Sequence, residues 1–343
     1  MIFPPLSVLD LAVVGEGTDP ATALHETADM AQAAERLGYH RFWVPEHHSF
    51  PASASPAPAV LLAHLGGLTS TIRLGSGGVM LPNHVPLLVA EQFGVLNALH
   101  PGRIDLGVGR NPGALPGIAQ ALHRTEEDPG ADAFARQVEE LRGFLGQGFP
   151  DDHPYTREDV HVVPRATGLP VWMLGSGDSG ADVAARFGLP FAAAQHINAA
   201  RALPAIDKYR AAFRPSDALA APYTMVSVNV VCADTDGEAL GLARSGALMM
   251  ALARQGIPTA VPTPRTAAAY DYRPRDEEFV RGWLGNTVHG SPETVRARLA
   301  ELQERTRADE FMLTSLIHGF EPRKRSYELV AEEFGLKGTD SRG

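Results

Sequence analysis

Apolar runs of strand length alternate with helical stretches along the whole chain. Eight runs read as strands: 7–14 (SVLDLAVV), 40–45 (HRFWVP), 72–80 (IRLGSGGVM), 103–109 (RIDLGVG), 170–175 (PVWMLG), 190–195 (PFAAAQ), 223–233 (YTMVSVNVVCA) and 309–316 (DEFMLTSL). Many are nearly continuous in apolar residues, the pattern of strands covered on both faces. The stretches between them carry helix punctuation. Asp19-Pro20 pairs an N-cap with a proline at the first helical position and predicts a helix to about Leu37. Ser291-Pro292-Glu293 opens another, and Gly38 and Gly335 stand where helices should stop. Eight β/α repeats predict an α/β fold, a closed (β/α)8 TIM barrel in a single domain over 1–343. A doubly wound open sheet is the competing arrangement; the eight units and the absence of a domain linker favour the barrel. In such a barrel chemistry belongs at the C-terminal ends of the strands. Pro101-Gly102 precedes a strand and falls on the structural face. Two segments break the repeat: 147–169, polar and Pro-rich, and 256–286, with four prolines and Tyr270 and Tyr272. Both are expected as lid or binding-loop insertions at the C-terminal face, with a plain surface excursion as the alternative.

Composition narrows the class. The 343 residues are 44% hydrophobic and 20% charged, ample for a large core. No run is long and apolar enough for a membrane span. The N-terminus reads as a strand rather than a signal peptide. A formal charge of −10 and the lack of a basic stripe argue against nucleic-acid binding. Cys232 is the only cysteine, which excludes a disulfide framework and a thiolate metal site. A cytoplasmic protein is expected.

The strand ends hold the candidate chemistry. The second strand runs into Glu46-His47-His48. Adjacent side chains on an extended segment point opposite ways, so the two histidines do not readily share one ion. The first strand offers no histidine, and no metal is expected; ordinary loop solvation remains the bland reading. The third strand carries Gly75, Gly77 and Gly78, which mark either close approach of a ligand or a bend at the rim. Pro82-Asn83-His84 follow at the mouth. The fourth ends Gly107-Val108-Gly109-Arg110, a cation suited to an anion or to a salt bridge with a neighbouring loop.

The fifth strand passes directly into "LGSGDSG", residues 174–180, and a helix. This stretch matches a dinucleotide loop, a serine-protease nucleophile loop and a plain anion-binding turn. A dinucleotide loop needs an acid near the end of the next strand to hold a ribose; Gln195 stands there. A protease needs a positioned His and Asp on an antiparallel scaffold; this chain repeats β/α units. A phosphate on the helix N-terminus fits better, with Ser176, Gly177, Ser179 and Gly180 as its cradle. A simple Gly/Ser cap without ligand is the alternative. A barrel with small residues at the third strand and a phosphate cradle after the fifth suits a phosphorylated ligand, a flavin mononucleotide among the candidates.

Taken together, "WVPEHHSF", "TSTIRLGSGGVMLPNHVPLLVAEQF", "LHPGRIDLGVGRNPG", "LGSGDSGADVAARFGLPF", "GSPETVRARL" and "ADEFML" closely resemble the bacterial luciferase-like flavin monooxygenases, a (β/α)8 family. "SVLD", "PYTMVSVNVVCADT" and "RKRSYELVAEEF" resemble a subgroup some of whose members tailor polyketides. The resemblance implies reduced FMN from a separate NAD(P)H:flavin reductase, O2 as co-substrate, a flavin C4a-hydroperoxide, and often a homodimer. It implies that His47 is the acid/base or hydrogen-bonding group near the flavin and that Glu46 orients it. Gly77 and Gly78 would lie under the isoalloxazine, Arg110 near the phosphate, and Ser176, Gly177, Ser179, Gly180 and Gln195 would hold the cofactor. Gly109 stands where the luciferase itself has a reactive cysteine, and Ser176 and Gln195 where it has an acid and an aromatic. These departures argue against light emission and an aldehyde substrate. A deazaflavin (F420)-dependent hydride-transfer enzyme and a non-catalytic flavin-binding barrel share the fold, and a metal hydrolase barrel is a further alternative. The substrate is not readable from the residues.

Overall fold

The computed structural model describes residues 3–111, 116–122 and 130–338. All eight expected strands are present: β1 (Leu6–Leu9), β2 (Arg41–Val44), β3 (Arg73–Ser76), β4 (Ile104–Gly109), β5 (Val171–Gly175), β6 (Phe191–Ala194), β7 (Thr224–Cys232) and β8 (Glu310–Thr314). Each pairs in parallel with its neighbours, and β8 pairs with both β7 and β1, so the sheet closes. Two short strands lengthen the C-terminal rim: Val79–Met80 pairs with the end of β4, and Val288–Gly290 with the end of β7.

The longer helices and those of the C-terminal half are α1 (Pro20–Leu37), α2 (Pro58–Leu68), α3 (Pro86–Leu99), α4 (Gly130–Arg142), α5 (Asp178–Phe187), α6 (Ala199–Ala212), α7 (Asp236–Arg254), α8 (Pro264–Ala269), α9 (Pro274–Asn286), α10 (Pro292–Thr306) and α11 (Phe320–Phe334), with short helical turns at Pro116–Ala121 and Pro154–Arg157 besides. Their ends follow the punctuation. The Asp19 carboxylate accepts from the N–H groups of Ala21 and Thr22, and Ser291 accepts from Thr294. Gly38 and Gly335 both take the left-handed conformation at C-caps.

The barrel interior is layered. Leu9, Trp43, Trp172, Ala192, Met225 and Met312 form an apolar plug. Below it, where the strands begin, lies a buried ion network. Arg41 bonds Asp105 at 2.7 Å and Glu310 at 3.0 Å, and Arg73 bonds Asp105 at 2.6 Å. Tyr223 and Ser7 also donate to Glu310, and Trp43 to Asp105. Buried carboxylates require such partners, and here they lock five strands at their starts.

The structure corrects the placement of one irregular segment. Residues 147–169 follow α4 and lead into the start of β5, so they lie at the N-terminal end of the barrel and form no lid over the mouth. The other segment, 256–286, belongs to a larger excursion. The barrel helix between β7 and β8 is α10, so α7, α8 and α9 together form the insertion. Val261 pairs with Gly15, and Met249, Val261 and Leu316 pack with Val13 and Ala52 beyond β1. These contacts are with residues beyond the C-terminal end of β1.

Candidate functional site

Strand register decides which side chains reach the mouth. The plug residues face inward, so residues two and four further along face the same way. This selects Leu11, His47, Leu174, Ala194, His196, Ser227, Asn229 and Thr314. Asn229 and Thr314 are buried, and the Thr314 hydroxyl has no hydrogen-bond partner among the described residues. His196 contacts Ser227 Oγ through Nδ1 at 2.7 Å.

His47 is held by Ser53. Its Nδ1 lies 3.3 Å from Ser53 Oγ, and that hydroxyl donates to the Leu11 carbonyl at 2.6 Å. The hydroxyl proton is therefore committed, and Ser53 can only accept from His47. Nδ1 carries the proton and Nε2 keeps its lone pair. The ring also meets Phe50 edge-on at 5.7 Å. Burial pushes the imidazole down to about 4, against the pull of Glu46, so it is neutral at pH 7. His196 is likewise pushed down to about 4 by burial, and His47 is among the groups that lower it. Two neutral imidazoles thus share the mouth.

Glu46 does not bond His47. Its buried carboxylate accepts from His48 Nε2 at 2.8 Å, the Met80 N–H at 2.9 Å, Asn83 Nδ2 at 3.0 Å and His84 Nε2 at 2.9 Å. Burial raises its pKa, but hydrogen bonds from His84, Asn83 and His48 outweigh this and leave it below the ordinary carboxylate value. Alternation explains the difference: Glu46 faces away from the side His47 presents. Its work is to clamp the loop after β2 to the loop after β3. The orienting role falls to Ser53.

The Gly77–Gly78 peptide is cis. A Cβ on Gly77 would come within 2.6 Å of Leu9 Cδ1, and one on Gly78 within 2.8 Å of the Gly107 carbonyl oxygen. Close packing inside the barrel accounts for both glycines, before any ring is placed beside them.

The turn after β5 joins several predicted residues. Gly177 is the N-cap of α5, with extended backbone and no side-chain cap, so the first N–H groups of the helix receive no cap from it. Gly180 packs against Gly175, bringing helix and strand close. Ser176 and Ser179 are half-buried beside them. Gly109 pairs with Leu174, so Arg110 stands next to Gly175 across the ladder. Sequence reasoning missed Arg201. Its guanidinium lies 3.1–3.3 Å from where a Cβ on Gly177 would be. Asp178, the one acid in the first turn, is engaged by Lys208 at 3.7 Å. A helix N-terminus with a guanidinium against it is built for an anion.

Gln195 falls outside this group. It faces away from the mouth and lines a separate cavity of about 120 Å³ with Asn286, Arg298 and Leu302. Among the described residues no three histidines, cysteines or acids converge as a metal site. Among the described residues no helix is long and apolar enough to cross a membrane.

Comparison with known proteins gives a consistent result. The "Luciferase-like monooxygenase" family matches residues 5–309. A luciferase-like monooxygenase of Escherichia coli (strain K12) is 39% identical over 327 residues, 95% of this chain and 96% of that one. The N-acetyl-S-alkylcysteine monooxygenase of Bacillus subtilis (strain 168) is 34% identical over 332 residues, 95% and 97% of the two chains. The crystal structure of apo-MsnO8 superposes with a TM-score of 0.87 at 40% identity, covering 98% of this chain and 99% of that one.

Proposed function

Because the chain belongs to the luciferase-like monooxygenase family, we propose that it oxygenates a small organic substrate using reduced FMN and O2. The reading rests on one observation above all: an anion cradle, α5 with Arg201 and Arg110 beside it, shares a barrel mouth with the half-buried, neutral His47. The donor set fits a flavin mononucleotide. Backbone N–H groups, Ser176, Ser179 and the guanidiniums would hold its phosphate, while the neutral mouth takes an uncharged ring. Bound reduced FMN would supply the electrons for splitting O2, one oxygen atom passing to substrate and the other to water.

The chain's own residues do the rest. His47 offers Nε2 as an acceptor and can take and return a proton at that atom. Ser53 fixes its tautomer and angle. Leu11, Phe50, Met250, Val261, Leu316 and Trp283 make an apolar wall near His47, which keeps water away and suits an apolar substrate. The insertion α7–α9 supplies three of those side chains and acts as the lid. A separate NAD(P)H:flavin reductase provides the reduced flavin, the working form is a homodimer, and a polyketide is a fitting substrate class; these follow from the family resemblance alone.

The test couples the protein to a flavin reductase, O2 labelled with 18O and a panel of apolar ketones, thioethers and aromatic polyketides. One labelled atom per product molecule is expected, with loss in His47→Ala and retained FMN binding. Reduction of oxidised F420 by an alcohol would instead establish the hydride-transfer reading. Normal turnover by His47→Ala would remove that residue from the chemistry.

A further inference from the structure

The opposite end of the barrel holds a cavity of about 550 Å³, within the range of small-molecule sites, roughly 300–1,000 Å³. It opens where β2, β3 and β5 begin, beneath the apolar plug. Arg41, Trp172 and Tyr223 form its floor, and Leu145, Leu169 and Leu219 are part of its wall. Trp172 and Tyr223 meet edge to face at 5.6 Å, and the Arg41 guanidinium lies 4.9 Å over the indole.

The charges around it do not cancel. Arg41 and Arg73 are matched by Asp105 and Glu310. Burial lowers His40 below the ordinary imidazole value, so it is neutral at pH 7. Arg142 also lines the cavity, and among the described residues it has no ion pair. Its Nη2 donates to the Phe187 carbonyl at 3.2 Å, and its guanidinium stacks on that ring at 4.6 Å. Its Nε is buried with no acceptor, and so is Trp172 Nε1. Trp172 is only 3% exposed. Unmet buried donors are costly and point to a missing acceptor. Glu139 acts on Arg142 only through space, without a salt bridge among the described residues. One cation without a contact partner, two unmet donors and apolar walls define a complementary ligand: a single negative charge on an apolar body.

We propose that this cavity is a second small-molecule site, which binds an apolar monocarboxylate with its carboxylate on Arg142 and its ring over Trp172 and Tyr223. The site lies away from the mouth, on the face where barrels carry no chemistry. The ligand is therefore held and not turned over. Its presence stabilises the fold by mass action, since only the folded chain presents the cavity.

Calorimetry on the full chain with 2-naphthoate tests this. Saturable binding of one equivalent is expected, unaffected by saturating FMN. Arg142→Gln should weaken it at least tenfold while leaving neutral 2-naphthamide binding unchanged. Ala218→Trp, at an exposed position on the rim, should weaken both. Thermal melts of the unliganded variants check that each still folds. Absence of saturable binding, competition by FMN, or equal affinity of wild type and Arg142→Gln for 2-naphthoate would each overturn the proposal. None of these outcomes depends on oxygenase activity.

Discussion

Replacing Arg41 by methionine removes the cation between two fully buried carboxylates while keeping most of the side-chain volume over Trp172. Asp105 retains Arg73 at 2.6 Å and the Trp43 indole N–H at 3.3 Å. Among the described residues Glu310 retains only hydroxyls, Ser7 and Tyr223. The Glu310 side chain is 0% exposed, so water cannot replace the lost partner. Breaking a buried pair from one side costs about 3–5 kcal/mol, a large part of a total stability of roughly 5–15 kcal/mol. The loss should appear as a lower midpoint in urea unfolding followed by far-UV circular dichroism. Adding Glu310→Gln removes the stranded charge and keeps an acceptor for one hydroxyl, while the other can turn to accept from the new amide N–H, so the double variant should recover about 2 kcal/mol. FMN binding at the far end should be unchanged in both. A single-variant loss below about 1 kcal/mol, or no recovery in the double variant, would refute the view that charge compensation holds the barrel floor together.

Three further outcomes follow from the geometry. Arg201→Gln should raise the dissociation constant of FMN by about 10–100-fold, a charged hydrogen bond being worth about 1.5–3 kcal/mol; riboflavin, which lacks the phosphate, should bind as before, and an equal loss for both would take Arg201 out of the cradle. His47 and His196 are each pushed down to about 4 from an ordinary 6.5. The unfolded chain therefore takes up protons that the folded chain refuses between those values, so stability is full above pH 6.5 and falls towards pH 4, by up to about 3 kcal/mol for each. Denaturation midpoints across that window should flatten in the double variant His47→Gln, His196→Gln, and parallel curves would contradict the assignment. Gly107→Ala drives a Cβ into the Ser76 carbonyl oxygen where β3 and β4 approach. A loss of at least about 3 kcal/mol is expected, read as soluble yield and melting temperature.

The barrel was legible because its strands are short apolar runs between well-marked helix caps, and nothing in the long-range structure overrides Asp19-Pro20, Ser291-Pro292, Gly38 or Gly335. The face on which a long segment lies was less so. Residues 147–169 look like 256–286 in composition, and only the helix before them, α4, shows that they enter a strand rather than leave one. Glu46 beside His47 suggested an orienting pair; period-two alternation separates them, and the true partner, Ser53, lies six residues on in an irregular loop. Gln195 was misplaced by the same alternation, being flanked by the inward Ala194 and His196. Arg201 sits on the helix after the cradle, a contact across sequence that no local motif records. His196 had the right register but lay beyond a strand end, where register alone is a weak guide.

The excursion α7–α9 enters and leaves the barrel at neighbouring points of the rim, since β7 precedes it and Val288–Gly290 pairs back onto the end of β7. Its length and sequence can therefore vary without breaking the closed circuit of strands or the ion-locked floor. Selection acting on what the mouth admits is largely uncoupled from selection acting on folding. One rigid scaffold can then carry many different excursions at its mouth, each exchanged without touching the strands beneath.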